Sequence, residues 1–149
     1  MTRKTTTPTK SIPELQDMLR DAGLRSTVPR IAVLRYLHGA EAPTSHGDIS
    51  DVLMKRGFDR ATLYRNLIDL TDAGVVTRTD LGDHVWRFEL KRGEGDHNAE
   101  HPHFVCTGCG DIACLPEVGV QFTASAKAPR ALRSKGVTVQ NKGRCDACT

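Results

Sequence analysis

Two CxxC pairs, Cys106–Cys109 and Cys145–Cys148, constrain this chain more than any other feature, because whatever joins them must draw together segments separated by 35 residues. Two such knuckles can place four thiolates tetrahedrally around Zn²⁺, and the charge and softness of sulfur favour that ion in a closed, structural site. A thiol–disulfide centre is the competing reading, since one CxxC at a helix start supports it. Two pairs without a thioredoxin-like βαβ pattern argue against that reading, and unliganded buried cysteines would not predict paired spacing. The fifth cysteine, Cys114, stands outside both pairs.

The 149 residues suffice to bury a core without disulfides, in one domain or in two small ones. No apolar run approaches the length needed to cross a bilayer, and MTRKTTTPTK lacks the apolar core of a signal peptide, so a cytoplasmic protein with no membrane partner is expected. Five cysteines in a reducing compartment do not make a disulfide framework. The formal charge of +3 is unevenly spread: residues 1–35 carry seven Lys/Arg against three acids, whereas residues 91–120 carry two against five. A basic amino-terminal third points to a polyanion and an acidic, histidine-bearing middle to cations, although ordinary solvated surface explains either patch alone.

After a polar tail over 1–10, SIPELQDMLRDAG predicts a helix capped by Ser11 and stopped by Gly23. A second helix starts near Thr27, tolerates Pro29 in its first turn and sets Ile31, Leu34 and Leu37 at helical spacing. The third follows the EAPTS turn, is expected to bury Ile49, Val52 and Leu53, and stops at Gly57. Asp59 caps the fourth, RATLYRNLIDLTDAG, whose Leu63, Leu67 and Leu70 form one stripe while Arg65 projects almost opposite, with Thr62 and Tyr64 on the flanks. Such a face can meet phosphates and base edges in a major groove. A merely wetted amphipathic helix would carry the same face, so the next segment decides between them. VVTRTDLGDHVWRFEL alternates about a DLGD turn and reads as a β-hairpin, with Trp86 and Phe88 on the core face and Val85, Arg87 and Glu89 on the other. Three helices followed by a hairpin make a winged helix, a DNA-binding form of helix-turn-helix.

KRGEGDHNAE, residues 91–100, is Gly-rich, charged and aperiodic, and reads as a linker. HFVCTGCGDIACL then predicts two short strands around a knuckle, PEVGVQFTASAKAPRALRSKG a helix interrupted or bent near Pro129, and VTVQ a closing strand. His101 and His103 share a face if their segment is extended, so both imidazoles can approach one ion. An enzyme would need a nucleophile or positioned base near the metal, and no hydrolase or transferase motif supplies one.

From about Gly23 to its carboxyl end the chain resembles the ferric uptake regulator superfamily of bacterial metal-responsive repressors. The matching stretches, in order, are GLRSTVPR, RATLYRNLIDLTDAGVV, WRFEL, HPHFVCTGCG and CDAC. The resemblance implies an α+β architecture: a winged-helix DNA-binding domain over 11–90, and over 101–149 an α/β dimerisation and metal-binding domain with a four-cysteine zinc site. It further implies a homodimer on an inverted-repeat operator in double-stranded DNA, with metal occupancy setting the orientation of the two halves. By the same resemblance, Tyr64 and Arg65 meet bases and phosphates, joined by Arg60 and Thr62, while Arg25 and Arg30 steady the DNA backbone. Cys106, Cys109, Cys145 and Cys148 become structural zinc ligands, and Glu89, His101 and His103 ligands of a regulatory ion.

Two departures from the family pattern matter. The histidine that usually precedes the third helix is displaced to His46, which is either a further regulatory ligand or a surface residue. Cys114 stands where many members carry a carboxylate ligand; a thiolate there softens the site toward Zn²⁺, with Fe²⁺ or Mn²⁺ next, and also offers an oxidisable group. The expectation is therefore a metal-dependent repressor and not an enzyme, with a peroxide- or thiol-responsive regulator of the same fold, and more remotely a zinc-dependent or thiol enzyme, as alternatives.

Overall fold

The computed structural model describes residues 10–91, 102–115, 118–121, 123, 127–133 and 139–149. The chain divides into two compact units, Met1–Lys91 and Arg92–Thr149. Among the described residues no helix is long and apolar enough to cross a membrane.

In the first unit, α1 (Ile12–Asp21) follows Ser11, whose backbone N–H and hydroxyl both donate to the Glu14 carboxylate, at 2.6 and 3.0 Å. The Ser11 backbone N–H, and then its hydroxyl, hold the Glu14 carboxyl below the usual carboxylate range. Leu15 and Leu19, one turn apart, are the buried stripe of this helix. Helix α2 (Val28–Gly39) buries Val33, Leu34 and Leu37. Strand β1 (Thr44–Ser45) leads directly into α3 (His46–Leu53), which tightens into a 3₁₀ turn, Met54–Arg56, and ends at Gly57 with φ +90°. Only glycine adopts that left-handed conformation without strain, so the expected stop residue is the actual one.

Val52 departs from expectation: it is 40% exposed, while Ile49, Ser50 and Leu53 are buried. On a helix of eight residues the i, i+4 pair Ile49 and Leu53 fixes the inward direction, and Val52 falls to one side of it.

Helix α4 (Arg60–Asp72) is capped by Asp59, whose carboxylate accepts from the Thr62 N–H at 3.0 Å. Leu63, Leu67 and Leu70 are fully buried, as their spacing predicts. Strands β2 (Val76–Asp80) and β3 (Trp86–Leu90) form the antiparallel hairpin, with Val76 opposite Leu90 and Asp80 opposite Trp86. Residues 44 and 45 pair with Phe88 and Arg87, giving the order β1-β3-β2; the EAPTS turn had given no sign of this third strand.

Phe88 is completely buried, but Trp86 is 46% exposed and lies under the Arg78 guanidinium, 4.4 Å from the ring centroid. The expectation that both aromatics are core is corrected for Trp86. Alternation assigned the face properly, but facing the core side does not by itself secure cover: at this end of β3 the Arg78 guanidinium, and not a core side chain, lies on the ring.

In the second unit, β4 (His103–Cys106) is central, antiparallel to β5 (Ile112–Cys114) and parallel to β6 (Gln140–Gly143). The closing strand thus begins at the last residue of VTVQ, and residues 137–138 lie outside the described set. The helix expected over 116–136 is not found among the described residues: 118–121 are irregular, a 3₁₀ turn spans Arg130–Arg133 just beyond Pro129, and much of the rest lies outside the described set. Proline's ring and missing N–H explain why no α-helix runs through position 129.

Candidate metal centres and nucleic-acid face

Strand pairing brings the two knuckles together. Cys106 ends β4, and its neighbour across the parallel ladder, Gly143, ends β6 two residues before Cys145. The sulfurs of Cys106, Cys109, Cys145 and Cys148 all lie within 4.8 Å of one another. The Cys109 and Cys145 sulfurs are 3.8 Å apart. Four sulfurs placed tetrahedrally about 2.3 Å from Zn²⁺ are separated by about 3.8 Å, whereas a disulfide needs about 2.05 Å. The spacing therefore fits a shared ion and not a bond.

The backbone around these sulfurs is arranged for negative charge. The Cys106 sulfur accepts N–H groups from Gly108, Cys109 and Cys145 at 3.4, 3.5 and 3.3 Å. The Cys109 N–H, then the Cys145 N–H, pull its thiol down to about 6. For Cys109 the Asp111 N–H pulls the same way, but the hydrogen-bonded Cys106 sulfur, burial and the Cys145 and Cys148 sulfurs outweigh it and push the thiol up to about 12. Cys148 is raised as well, chiefly by Cys145. Crowded sulfurs resist holding several charges at once, and a divalent cation among them removes that conflict. The donor set, its spacing and its amide support fit a closed four-cysteine zinc site.

Gly108 is a residue that ligand-spacing arguments miss. A Cβ there would lie 3.1 Å from both the Cβ and Sγ of Cys148, so glycine is what lets the second knuckle close over the first. The CTGC sequence holds the signal, since the glycine sits between the two ligands, but the reason for it is tertiary.

A second set of donors lies at the other end of the same sheet. His103 and Cys114 are directly opposed across the β4–β5 ladder, so their side chains share a face. His103 is buried and Cys114 half-buried. His101 lies outside the described residues. Glu89 belongs to the first unit, half-buried on β3 opposite Thr77.

The other sequence candidates are in the first unit. On α4, Arg60, Tyr64 and Arg65 are exposed; Thr62 is half-buried, its hydroxyl donating to the Asp59 carboxylate at 3.2 Å. Arg25 is exposed, but Arg30 is tied inward: its guanidinium donates to Asp69 of α4 at 2.9 Å and to the Arg25 carbonyl at 2.9 Å. Arg30 is thus a strut between α2, α4 and the segment bearing Arg25. Sequence reasoning did not identify Asp69 as its partner, 39 positions away.

His46 is packed against the start of α4, with its Nε2 3.0 Å from the Arg60 carbonyl oxygen and its ring 5.1 Å from that of Tyr64. Exposed guanidinium and phenol groups on one helix face can donate to phosphate oxygens and base edges.

Comparison with known proteins agrees with this geometry. The model of the ferric uptake regulator family matches residues 21–139. A ferric uptake regulation protein of Legionella pneumophila is 33% identical over 121 residues, which are 79% of this chain and 85% of that protein. The transcriptional regulator FurA of Mycobacterium tuberculosis is 36% identical over 106 residues, 69% of this chain and 67% of its own. Among solved structures, the Vibrio cholerae ferric uptake regulator is 28% identical, covers 87% of this chain and 98% of its own, and superposes with a TM-score of 0.64. The Pseudomonas aeruginosa ferric uptake regulator, solved with manganese, is 27% identical, covers 89% and 98%, and gives 0.60. These relatives are named as regulators and not as enzymes.

Proposed function

The chain belongs to the ferric uptake regulator family of metal-responsive transcriptional regulators, and from that premise we propose that it is a cytoplasmic homodimeric repressor whose operator affinity depends on a regulatory divalent ion. Arg25, Arg60, Tyr64 and Arg65 supply the DNA contacts, with Thr62 and Arg30 holding the elements that carry them. The second unit pairs two copies so that two recognition helices read an inverted repeat. The observation that carries the reading is an outward guanidinium–phenol face on α4 in the same chain as an opposed His103–Cys114 pair.

Two ion sites per subunit follow from this reading. Cys106, Cys109, Cys145 and Cys148 hold a structural Zn²⁺, while His103, Cys114, His101 and Glu89 hold the regulatory ion. Bound there, the ion supplies divalent charge that favours the DNA-competent arrangement over others, by as much as its affinity for the two differs. A thiol in place of a carboxylate favours Zn²⁺, with Fe²⁺ or Mn²⁺ next. His46, whose ring lies on α4, is left out of this ligand set.

The test uses the full chain with a duplex selected by it from a random-sequence library, read by fluorescence anisotropy. Adding zinc should strengthen binding, and a chelator that strips the labile ion should weaken it at least tenfold while the ion of the four-cysteine site stays. Unchanged affinity after removal of the labile ion refutes the co-repressor role.

A second reading, regulation by oxidation of Cys114, is favoured by one observation: the half-buried thiol belongs to neither knuckle. Cys114→Ser should shift metal preference away from zinc if the thiol is a ligand. If the substitution instead leaves metal affinity intact and abolishes only the response to dilute peroxide, the oxidation reading replaces the metal one.

A further inference from the structure

His46 touches the recognition helix at two points one turn apart. A carbonyl oxygen only accepts, so the Nε2 lying 3.0 Å from the Arg60 oxygen carries the hydrogen and donates it. In an α-helix that same carbonyl is the acceptor for the N–H of Tyr64, four residues on. The imidazole and the Tyr64 ring then meet in a tilted pair, 5.1 Å between centroids and 60° between planes.

The backbone that carries His46 is itself fixed. The Ser45 hydroxyl caps α3 by accepting the Asp48 N–H at 3.1 Å, and donates to the Asp48 carboxylate at 2.7 Å. The Arg60 guanidinium lies beside Gly47, one nitrogen 3.9 Å from where a Cβ would stand, so the starts of α3 and α4 are neighbours. Thr62 hangs from the Asp59 cap, and the buried Asn66 amide donates to the Thr62 carbonyl at 2.9 Å. The first turn of α4 is thus held from both ends, and Tyr64 is its one exposed ring, 45% accessible.

We propose that His46 is a positioning residue for sequence recognition: by donating to the Arg60 carbonyl and packing on the Tyr64 ring, it holds the phenol in the orientation that meets a base. This deepens the reading of α4 as a DNA-reading helix and rests on it. An exposed tyrosine without that support must be ordered when DNA binds. With it, the ordering is already done, and the saving appears as affinity for the matched sequence. Phosphate contacts made elsewhere gain nothing, so the effect is confined to specific binding.

The experiment is a double-mutant cycle on the zinc-loaded 149-residue chain, with two duplexes of equal length: one selected by wild type from a random-sequence library, and its scrambled counterpart. His46→Ala should weaken binding to the selected duplex about 2- to 10-fold and leave the scrambled duplex unaffected. In a Tyr64→Ala background the same change should cost almost nothing, because the ring it positions is gone. His46→Gln, which carries a donor N–H near the Nε2 position, should recover part of the loss. It also serves as the arm to read if His46→Ala fails a circular-dichroism check of folding. The proposal is overturned if the His46 loss is the same with and without Tyr64, or if both duplexes weaken equally. Should wild type select no sequence at all, the DNA-binding reading fails and this inference with it; selection by wild type with additive losses removes this inference alone.

Discussion

Removing one knuckle cysteine should unfold the second unit and leave the first intact. All fourteen residues of the hydrophobic core cluster lie between Leu15 and Leu90, in the first unit. Among the described residues of the second unit, only Pro102, His103 and Cys106 are buried. With so little apolar burial among its described residues, the sheet of this unit leans on another source of stability, and a tetrahedral ion is the usual staple at this size. Structural zinc contributes on the order of 10–16 kcal/mol through four ligands, so one ligand accounts for ~2.5–4 kcal/mol. That is a large share of the roughly 5–15 kcal/mol by which a whole domain is stable.

The Cys106→Ser variant is the sharpest probe, since that residue is 2% exposed and its sulfur accepts three backbone N–H groups. Hydrogen exchange followed by mass spectrometry, with zinc counted in parallel, reads the result. Amides of residues 103–106 and 140–143 should lose protection by on the order of a hundredfold or more, while those of α2 and α4 stay protected. Full protection of the β4 and β6 amides in a zinc-free variant would refute the reasoning, because the sheet would then stand without its ion.

Other outcomes follow from the same structure. Arg65→Ala should weaken operator binding and lower the slope of log affinity against log salt by about 1, as expected for one lost phosphate contact; an unchanged slope removes Arg65 from those contacts. Phe88→Ala should cost ~3–5 kcal/mol in urea unfolding of the first unit, against under ~1.5 kcal/mol for Trp86→Ala, whose ring is half in water; equal costs would mean that the distal hairpin is covered after all. The Arg87 guanidinium, then the Val85 N–H, bring the Asp83 carboxyl from 3.8 down to about 2. A depressed carboxyl contributes its stabilisation above pH 3.8 and loses it as pH falls through about 2, so a carboxyl-carbon titration by NMR should give a low midpoint that returns toward 3.8 in Arg87→Gln. A midpoint unchanged by that substitution would sink the assignment.

Much of the fold was legible because it is written in local periods. The stripe of Leu63, Leu67 and Leu70, the cap at Asp59 and the stop at Gly57 each follow from residues within one or two turns. The four-cysteine cluster was legible for a related reason: paired spacing encodes a turn that aims two sulfurs at one point, and two such turns leave few alternatives. The helix expected over 116–136 had no clean period behind it; among the described residues 118–121 are irregular, and the interruption expected near Pro129 is there.

What the sequence determined by itself, then, is the order of the four helices and the hairpin, the main buried stripe of α4, and the pairing of the cysteine knuckles. Tertiary structure alone decided what stands opposite those faces. Trp86 alternates properly with Phe88 yet is 46% exposed, because periodicity records direction, not cover. Arg30 turns inward to Asp69, and Gly108 leaves room for Cys148, through contacts between residues about 40 positions apart. His46, which the family resemblance offered as either a metal ligand or a surface residue, stands against a backbone carbonyl and a ring of α4. A backbone acceptor has no letter in the sequence, so only the folded chain reveals which donor has found it.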